Sequence, residues 1–411
     1  MSRADSLGAV EYAAETLTTG WAEVSTTYGA RYPILGKVDF SGLTHNKVKN
    51  PATVQYMGDG AEPILMTKGG SIKLDMHIPG HGTTTAGAIS LKNHETLMGY
   101  AIGRAAATGA GTTFTGGTVT APTTTSSGVL AAGQIIWAGS YNDAKGDGQP
   151  AVIGTVVTTT VNLLTALPAA PVNTDVCYGS VMIYPDEDVA TSEVQNIRLR
   201  GLTANQQMAM RGCWAMSSEI AGFNATETPK ASTTWGVSTH DPVSATFPSA
   251  TAIEGPYLPS ASAGGSLFVQ AVGTTTRQTY SYRDFALNIS MPVQADNGPG
   301  GIDPAQTTTS AKRLPHEVTV SFTVDAQTAS ATPTWPVRFA ATTRYHLLFS
   351  ANNAATGKRV AVYLPNACFE GSQIMQSSSD GINRERITLR GYTGTDTTSA
   401  LTKSSFRIAL G

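Results

Sequence analysis

Apolar and polar residues alternate with a period of two over most of this chain, which predicts β-strands. The cleanest case is Ser71–Ile78, where Ile72, Leu74, Met76 and Ile78 point one way and Lys73, Asp75 and His77 the other. Lys37–Leu43, Arg283–Ser290, Glu317–Val324, Tyr345–Phe349 and Ser405–Leu410 read as strands by the same rule. Lys358–Gly394 carries three short runs, Val360–Leu364, Gln373–Gln376 and Arg386–Arg390, divided by Gly, Pro, Asn, Asp and Ser, and predicts an antiparallel meander. Ile89–Ala106 differs. Leu91, Met98, Ala101, Ile102 and Ala105 recur near helical spacing, with Ser90 placed to cap the start. Tyr12–Leu17 reads as a short helix in a polar terminal arm, and Pro333–Ala340 as a short helix begun by proline. His45–Gly70 and 292–315, rich in Gly and Pro, read as long loops.

Between 107 and 185 the pattern shortens. Strand-like runs at Val129–Leu130, Gln134–Trp137, Ala151–Val157, Thr160–Leu164 and Val176–Ile183 are divided by turn signals such as Asp147-Gly148 and Leu167-Pro168, which predicts a small compact barrel. Residues 239–265 are poor in charge and rich in Pro, Ser, Ala and Gly, and read as an extended linker.

The strand pattern repeats. Lys37–Leu43 overlays Asp284–Ser290 with an offset of 247 (37 to 284), and Ile72–Ile78 overlays Val318–Val324 with an offset of 246 (72 to 318). Gln207–Ser238 is a degraded copy of Lys358–Gly394, with Cys213 opposite Cys368 and Trp214 opposite Phe369, an offset of 155 (213 to 368). The barrel region nearly fills the difference between the offsets. A duplicated β-domain is expected, with an arm at 1–30, a first domain at 31–106 and 186–238, the barrel inserted at 107–185, the linker at 239–265 and a second domain at 266–411.

Composition shifts the reading toward an assembled protein. Charged residues make up 14% of the chain, against roughly 25% in an average soluble domain. The formal net charge is −2, so no overall basic field exists to hold nucleic acid, and a near-neutral surface favours self-association. Cys177, Cys213 and Cys368 are too few and wrongly spaced for a disulfide framework or a zinc site and read as buried thiols. The N-terminal stretch lacks the apolar core of a secretory signal, and no run of roughly 18 apolar residues predicts a membrane helix.

Motifs for chemistry are weak. Pro79-Gly80 separates His77 from His81, so they cannot share a helix face as zinc ligands. Asn142–Gly148 places Lys145 where a calcium loop needs an oxygen ligand and lacks the closing Glu. Asp186–Asp188 reads as a solvated turn, and Gly109-Ala110-Gly111 lacks the setting of a dinucleotide site. No phosphate-binding loop, nucleophile elbow or defined triad is present, so no enzyme, cofactor or metal is expected. Arg198, Arg200 and Arg211 in the first half and Arg384, Arg386 and Arg390 in the second, with few aromatics between them, read as sheet-surface residues that pair with carboxylates across subunits.

The second half resembles the tail tube proteins of long-tailed, siphovirus-like bacteriophages. The resemblance is carried by Phe285–Ser290, a long loop, Arg313-Leu314-Pro315-His316-Glu317-Val318-Thr319-Val320-Ser321-Phe322, a short helix, Val362-Tyr363-Leu364-Pro365-Asn366-Ala367-Cys368-Phe369-Glu370-Gly371 and a closing strand pair. Tyr32–Ser238 resembles the same domain with a barrel inserted. The resemblance implies a mainly β chain with two tandem tail-tube-type β-sandwich domains, each flanked by a helix. It also implies fused subunits that form trimeric rings of pseudo-sixfold symmetry, stacked into a tube through which DNA leaves. The barrel would sit outside as decoration. Tape-measure, tail-tip and terminator proteins would be partners, duplex DNA would pass without specific binding, and no membrane would be involved. The chain would belong to the virion tail and assemble in the host cytoplasm. The two long loops would reach the neighbouring ring, making Lys47, Lys49, Tyr56, Asp59, Glu62, Asn297, Asp303 and Gln306 the inter-ring candidates. The rival readings are a baseplate or capsid decoration protein with a ligand-binding barrel, and a β-rich hydrolase.

Overall fold

A computed structural model describes residues 8–15, 30–34, 38–49, 63–82, 89–108, 111–126, 129–139, 149–167, 169–173, 175–185, 187, 196–203, 206–224, 227, 229–242, 265–296, 310–325, 343–353, 358–375, 384–396 and 398–411. The first half opens on β1 (Ala9–Glu15) and β2 (Ala30–Pro33), an antiparallel pair. The helix expected from Tyr12 is therefore strand as far as Glu15. Val10 and Tyr12 recur with period two and are buried in the core, which outweighs the helical preference of Ala13 and Ala14. Next come β3 (Leu43–Lys49) and β4 (Pro63–His77), a hairpin, so both ends of the loop expected at His45–Gly70 are strand. The strand expected at Lys37–Leu43 is not formed over Val38–Gly42, and Lys37 lies outside the described residues. Val38–Phe40 are irregular, and the Leu43 N–H donates to the Phe40 carbonyl at 3.0 Å across a turn. On β4 the alternation holds, with Ile72, Leu74 and Met76 buried, followed by buried Ile78.

Helix α1 (Asn93–Ile102) is shorter than the periodicity suggests. It begins after Lys92, not Ser90, because the Lys92 N–H donates to Glu95 Oε2 at 2.7 Å. It ends at Gly103, whose φ of 156° suits glycine and whose N–H donates to the Gly99 carbonyl. The chain then leaves as β5 (Arg104–Thr108).

The next strands are β6 (Thr112–Gly117), β7 (Pro122–Thr124), β8 (Ile135–Gly139), β9 (Gln149–Val157), β10 (Thr160–Leu163) and β11 (Val176–Tyr178). They close as a barrel in the order β10–β7–β6–β11–β8–β9. Phe114, Leu130, Ile136, Ile153, Val161 and Cys177 fill it. Leu130 thus serves the barrel from a non-strand position. The run expected at Val176–Ile183 divides at Gly179 into β11 and β12 (Ser180–Tyr184), which joins the large sheet between β5 and the C-terminal strand. The first half ends with β13 (Asn196–Thr203), β14 (Gln206–Ala221) and β15 (Lys230–Pro242), which carries strand four residues into the expected linker.

The second half has β16 (Ser266–Ala271), β17 (Gln278–Tyr280), β18 (Tyr282–Ser290), β19 (Val293–Asp296), β20 (Ser310–Arg313), β21 (Glu317–Asp325) and β22 (Tyr345–Asn353). The loop expected at 292–315 therefore begins and ends as a β19–β20 ladder. Pro333–Ala340 lies outside the described residues. Then come β23 (Lys358–Met375), β24 (Arg384–Gly391), the single turn α2 (Ala400–Lys403) and β25 (Arg407–Leu410). The three runs expected in Lys358–Gly394 are two strands. Pro365 and Gly371 do not end β23, because each falls at a register shift where a ladder hydrogen bond is not required.

Both halves pair their strands in one order, β2–β1–β13–β14–β15–β4–β3 and β17–β16–β22–β23–β24–β21–β18. The bulges coincide as well. On β13–β14 the register jumps from Ile197–Cys213 to Leu199–Met210, and on β22–β23 from Tyr345–Ala367 to Leu347–Leu364. Ala215–Trp235 is followed by Ser217–Thr234, as Phe369–Leu389 is by Gly371–Thr388. Both bulges match Cys213 to Ala367, one residue away from the cysteine-on-cysteine overlay. A one-residue slip turns a side chain to the other face. Cys213 is accordingly buried, while Cys368 is only half-buried, so the two are not equivalents, and Trp214 matches Cys368 rather than Phe369.

One apolar core runs through both halves, and α1 packs on it. A second lies on the opposite face of β16, β22, β23, β25 and β12, where the barrel docks. Leu347 and Phe349, Val360 and Val362, and Ile408 and Leu410 enter the first core, while Leu348, Ala361, Tyr363 and Ala409 enter the second with Ile135, Trp137 and Val152 of the barrel. Strands buried on both faces read as continuous apolar runs, as Leu347–Phe349 and Val360–Leu364 do. The barrel, inserted in the first half, is thus bolted to the second. Trp137 Nε1 donates to Ser350 Oγ at 3.2 Å. The Arg277 guanidinium lies 3.1 Å over the Phe268 ring and donates to the Pro150 and Ala166 carbonyls.

A polar sheet face as the candidate functional surface

Strand register decides which side chains share a face. Lys73 and Asp75 lie opposite Thr234 and Ser232, which lie opposite Ser217 and Glu219, and these lie opposite Ser290 and Asn288. The line continues through Glu317 and Thr319 to Arg390, and through Ser321 and Thr323 to Thr388 and Arg386, ending at Gly371 and Gln373. A single polar face therefore crosses β4, β15, β14, β18, β21, β24 and β23, and the core lies beneath it. Hydroxyls dominate, and Lys73, Arg386 and Arg390 are interspersed with Asp75, Glu219 and Glu317. At the joint between the halves the face dips into a cavity of about 290 Å³ lined by Lys73, Ser217, Glu219, Thr234, Asn288 and Ser290.

Arg390 Nη2 donates to Glu317 Oε1 at 2.7 Å, Arg384 Nε lies 3.8 Å from Asp325 Oδ1, and Arg386 Nη2 donates to Ser321 Oγ at 3.1 Å. These partners stand on the adjacent strand of the same chain, across the β21–β24 ladder. Arg211 is half-buried on β14, and the backbones of Arg198 and Arg200 lie opposite Ala13 and Glu11 on β13. Lys47 and Lys49 lie on β3, opposite Met66 and Pro63. Tyr56, Asp59, Glu62, Asn297, Asp303 and Gln306 lie outside the described residues, as does Asn142–Gly148.

Two buried clusters escaped the sequence. His81 Nδ1 is 2.5 Å from Glu95 Oε1, which ties the loop after β4 to α1 and leaves His77 apart on its strand. Glu187, His316 and Ser405 have the composition of a triad but not its geometry. His316 Nε2 meets both Ser405 Oγ at 2.6 Å and Glu187 Oε1 at 3.2 Å, whereas a triad places the nucleophile and the carboxylate on opposite nitrogens of the histidine ring. The Ser405 N–H also donates to Glu187. Burial tends to raise the Glu187 pKa, but hydrogen bonding and charge from His316, with the bonds from Ser405, hold it below its ordinary 4.5. A carboxylate depressed in the fold stabilises above its unfolded value and loses that contribution as pH falls through the folded one. Urea midpoints of the unsubstituted and Glu187→Gln chains are therefore expected to differ at pH 7 and to converge at pH values below 4.5; a gap that stays constant into acid would exclude this role.

Among the described residues no group of three or more His, Cys, Asp or Glu is placed to hold a metal ion, and no helix is long and apolar enough to cross a membrane. No family model and no curated protein matches this chain.

Proposed function

We propose that the chain is a structural subunit of a tube: two tandem tail-tube-type domains that build the tail of a long-tailed phage. The observation that carries this reading is the repeated ladder, bulges included, with a core on one side and a continuous, mixed-charge, hydroxyl-rich face on the other. Three such chains closed into a ring would line a channel with that face. Scattered charges of both signs give phosphates little cumulative grip, which suits a conduit for DNA better than a binding site. No catalytic role is assigned. Tape-measure, tail-tip and terminator proteins are the partners, and the virion tail, assembled in the host cytoplasm, is the location this reading entails. A decoration protein with a ligand-binding barrel is less well supported, since apolar side chains fill the barrel.

Electron micrographs of the purified protein should show three-membered rings or uniform hollow tubes. A monomer that stays single while binding glycans or capsids would end the proposal. Replacing Asn50–Glu62 by a two-residue Asn-Gly turn, which keeps Lys49 opposite Pro63, or deleting Asn297–Gln306, is expected to stop elongation while leaving the melting temperature nearly unchanged, because shortening a connection alters closure entropy by less than about 1 kcal/mol. A large fall in melting temperature would make these segments part of the folded core instead.

A further inference from the structure

The halves of this chain are joined by a ladder whose counterpart, among the described residues, is left open. Ser217, Ser218, Glu219 and Ile220 of β14 pair antiparallel with Ser290, Ile289, Asn288 and Leu287 of β18. Thus the first half offers the far end of its long central strand to the second half's hairpin. The bulges match Ser217–Ile220 to Gly371–Ile374 of β23. Among the described residues, β23 pairs only with β24 along this stretch, Ser372 and Gln373 are exposed, and a Cβ at Gly371 would meet nothing within 4 Å. Among the described residues the other half of the joint is open too, since β3 pairs only with β4. Leu43 lies opposite Gly70 as Ile289 lies opposite Val318, and the Ser71 N–H donates to the Gly42 carbonyl at 3.1 Å, where Thr319 lies opposite Asn288. Ser41–Thr44 are therefore the counterpart of Leu287–Ser290.

We propose that Gly371–Ile374 of one chain pairs antiparallel with Ser41–Thr44 of the next, in the register Gly371–Thr44, Ser372–Leu43, Gln373–Gly42 and Ile374–Ser41. The partner is a second copy of this chain, because the same joint is already made once within it. The contact is head-to-tail, so each chain uses one edge to give and the other to receive. It also explains a local difference between the halves. Leu287–Ser290 is flanked by β21 and β14, whereas Ser41–Thr44 has, among the described residues, β4 alone, and Ser41 and Gly42 stay in a turn. Docking supplies the missing strand. The register rests on the pairing repeat, while closure into three chains rests on the tube reading.

A chain carrying Gly371→Cys and Thr44→Cys, oxidised after assembly, is expected to give a thiol-reversible covalent trimer. A control with Ser372→Cys and Thr44→Cys, whose side chains lie on opposite faces, should cross-link at least tenfold less. An open series of dimers, trimers and longer species supports the strand pairing and removes the three-chain ring. Rings or tubes without cross-links overturn the pairing and leave the tube reading standing; a monomer without cross-links overturns both. In the unsubstituted protein, amides of 371–374 and 41–44 should exchange at least tenfold more slowly on assembly, and unchanged rates count against the pairing whatever the variants do.

Discussion

Replacing Phe349 by alanine is expected to destabilise the folded chain by about 3–5 kcal/mol, the range for removing a fully buried aromatic. Phe349 stacks on Phe285 with centroids 3.8 Å apart and meets Phe223 and Tyr282 edge-on at 4.9 and 5.0 Å. Phe223 follows β14 in the first half, while the other rings belong to the second. The ring therefore stands where the two halves share a core. Nothing flexible borders the site to refill it, since Phe223, Phe285 and Phe349 are all fully buried. Each lost aromatic pair adds about 0.5–1.5 kcal/mol beyond area burial. Phe349→Leu should lose far less, because volume is largely kept. Urea unfolding followed by tryptophan fluorescence measures both. A loss under about 1 kcal/mol for the alanine variant would mean that the halves do not depend on each other for stability.

Arg407→Ala is expected to cost about 3 kcal/mol or more, since each buried acceptor left without its donor costs about 1–3 kcal/mol. The side chain is fully buried. Its Nη1 donates to the Gly133 carbonyl at 3.0 Å, its Nη2 to the Thr402 carbonyl at 2.8 Å and its Nε to Ser404 Oγ at 3.1 Å. Burial pushes its pKa down, and the neighbouring Tyr363 and the Asp396 carboxylate oppose that shift. One planar group thus joins the barrel, α2 and β25, and truncation leaves acceptors stranded without water. Lysine cannot reach three acceptors in this fork arrangement. Arg407→Lys should recover less than half of the loss, and recovery close to the original midpoint would show that charge alone matters at this position.

Much of the fold was legible because a strand with one wet face writes its alternation into the chain. Ile72–Ile78 and Val318–Val324 are read off directly, as are most barrel strands. The misreadings have physical causes. Val360–Leu364 is buried on both faces, so its alternation carries no information about sides. Pro365 and Gly371 looked like strand ends and are bulges. Tyr12–Glu15 has helical residue preferences overridden by pairing with β13 along its length. The cysteine overlay failed by one residue because a bulge, invisible in composition, sets the phase. The polar face lay beyond local reading for the same reason. Lys73, Glu219, Asn288 and Arg386 come together only through ladders between distant strands, and Glu187, His316 and Ser405 only through the docking of three separate segments.

The docking of the barrel on the second half has a temporal consequence. During synthesis β12 meets β5 almost at once, but its other neighbour, β25, begins more than two hundred residues later (184 to 407). At translation rates of about 5–20 residues per second, that edge and the Trp137 face of the barrel wait roughly 10–45 s for cover. Over that interval the nascent chain displays an apolar strand with one open edge beside a finished barrel, and a neighbouring nascent copy displays the same. The order of manufacture, more than the final stability, sets when this protein is most open to mispairing with its own kind.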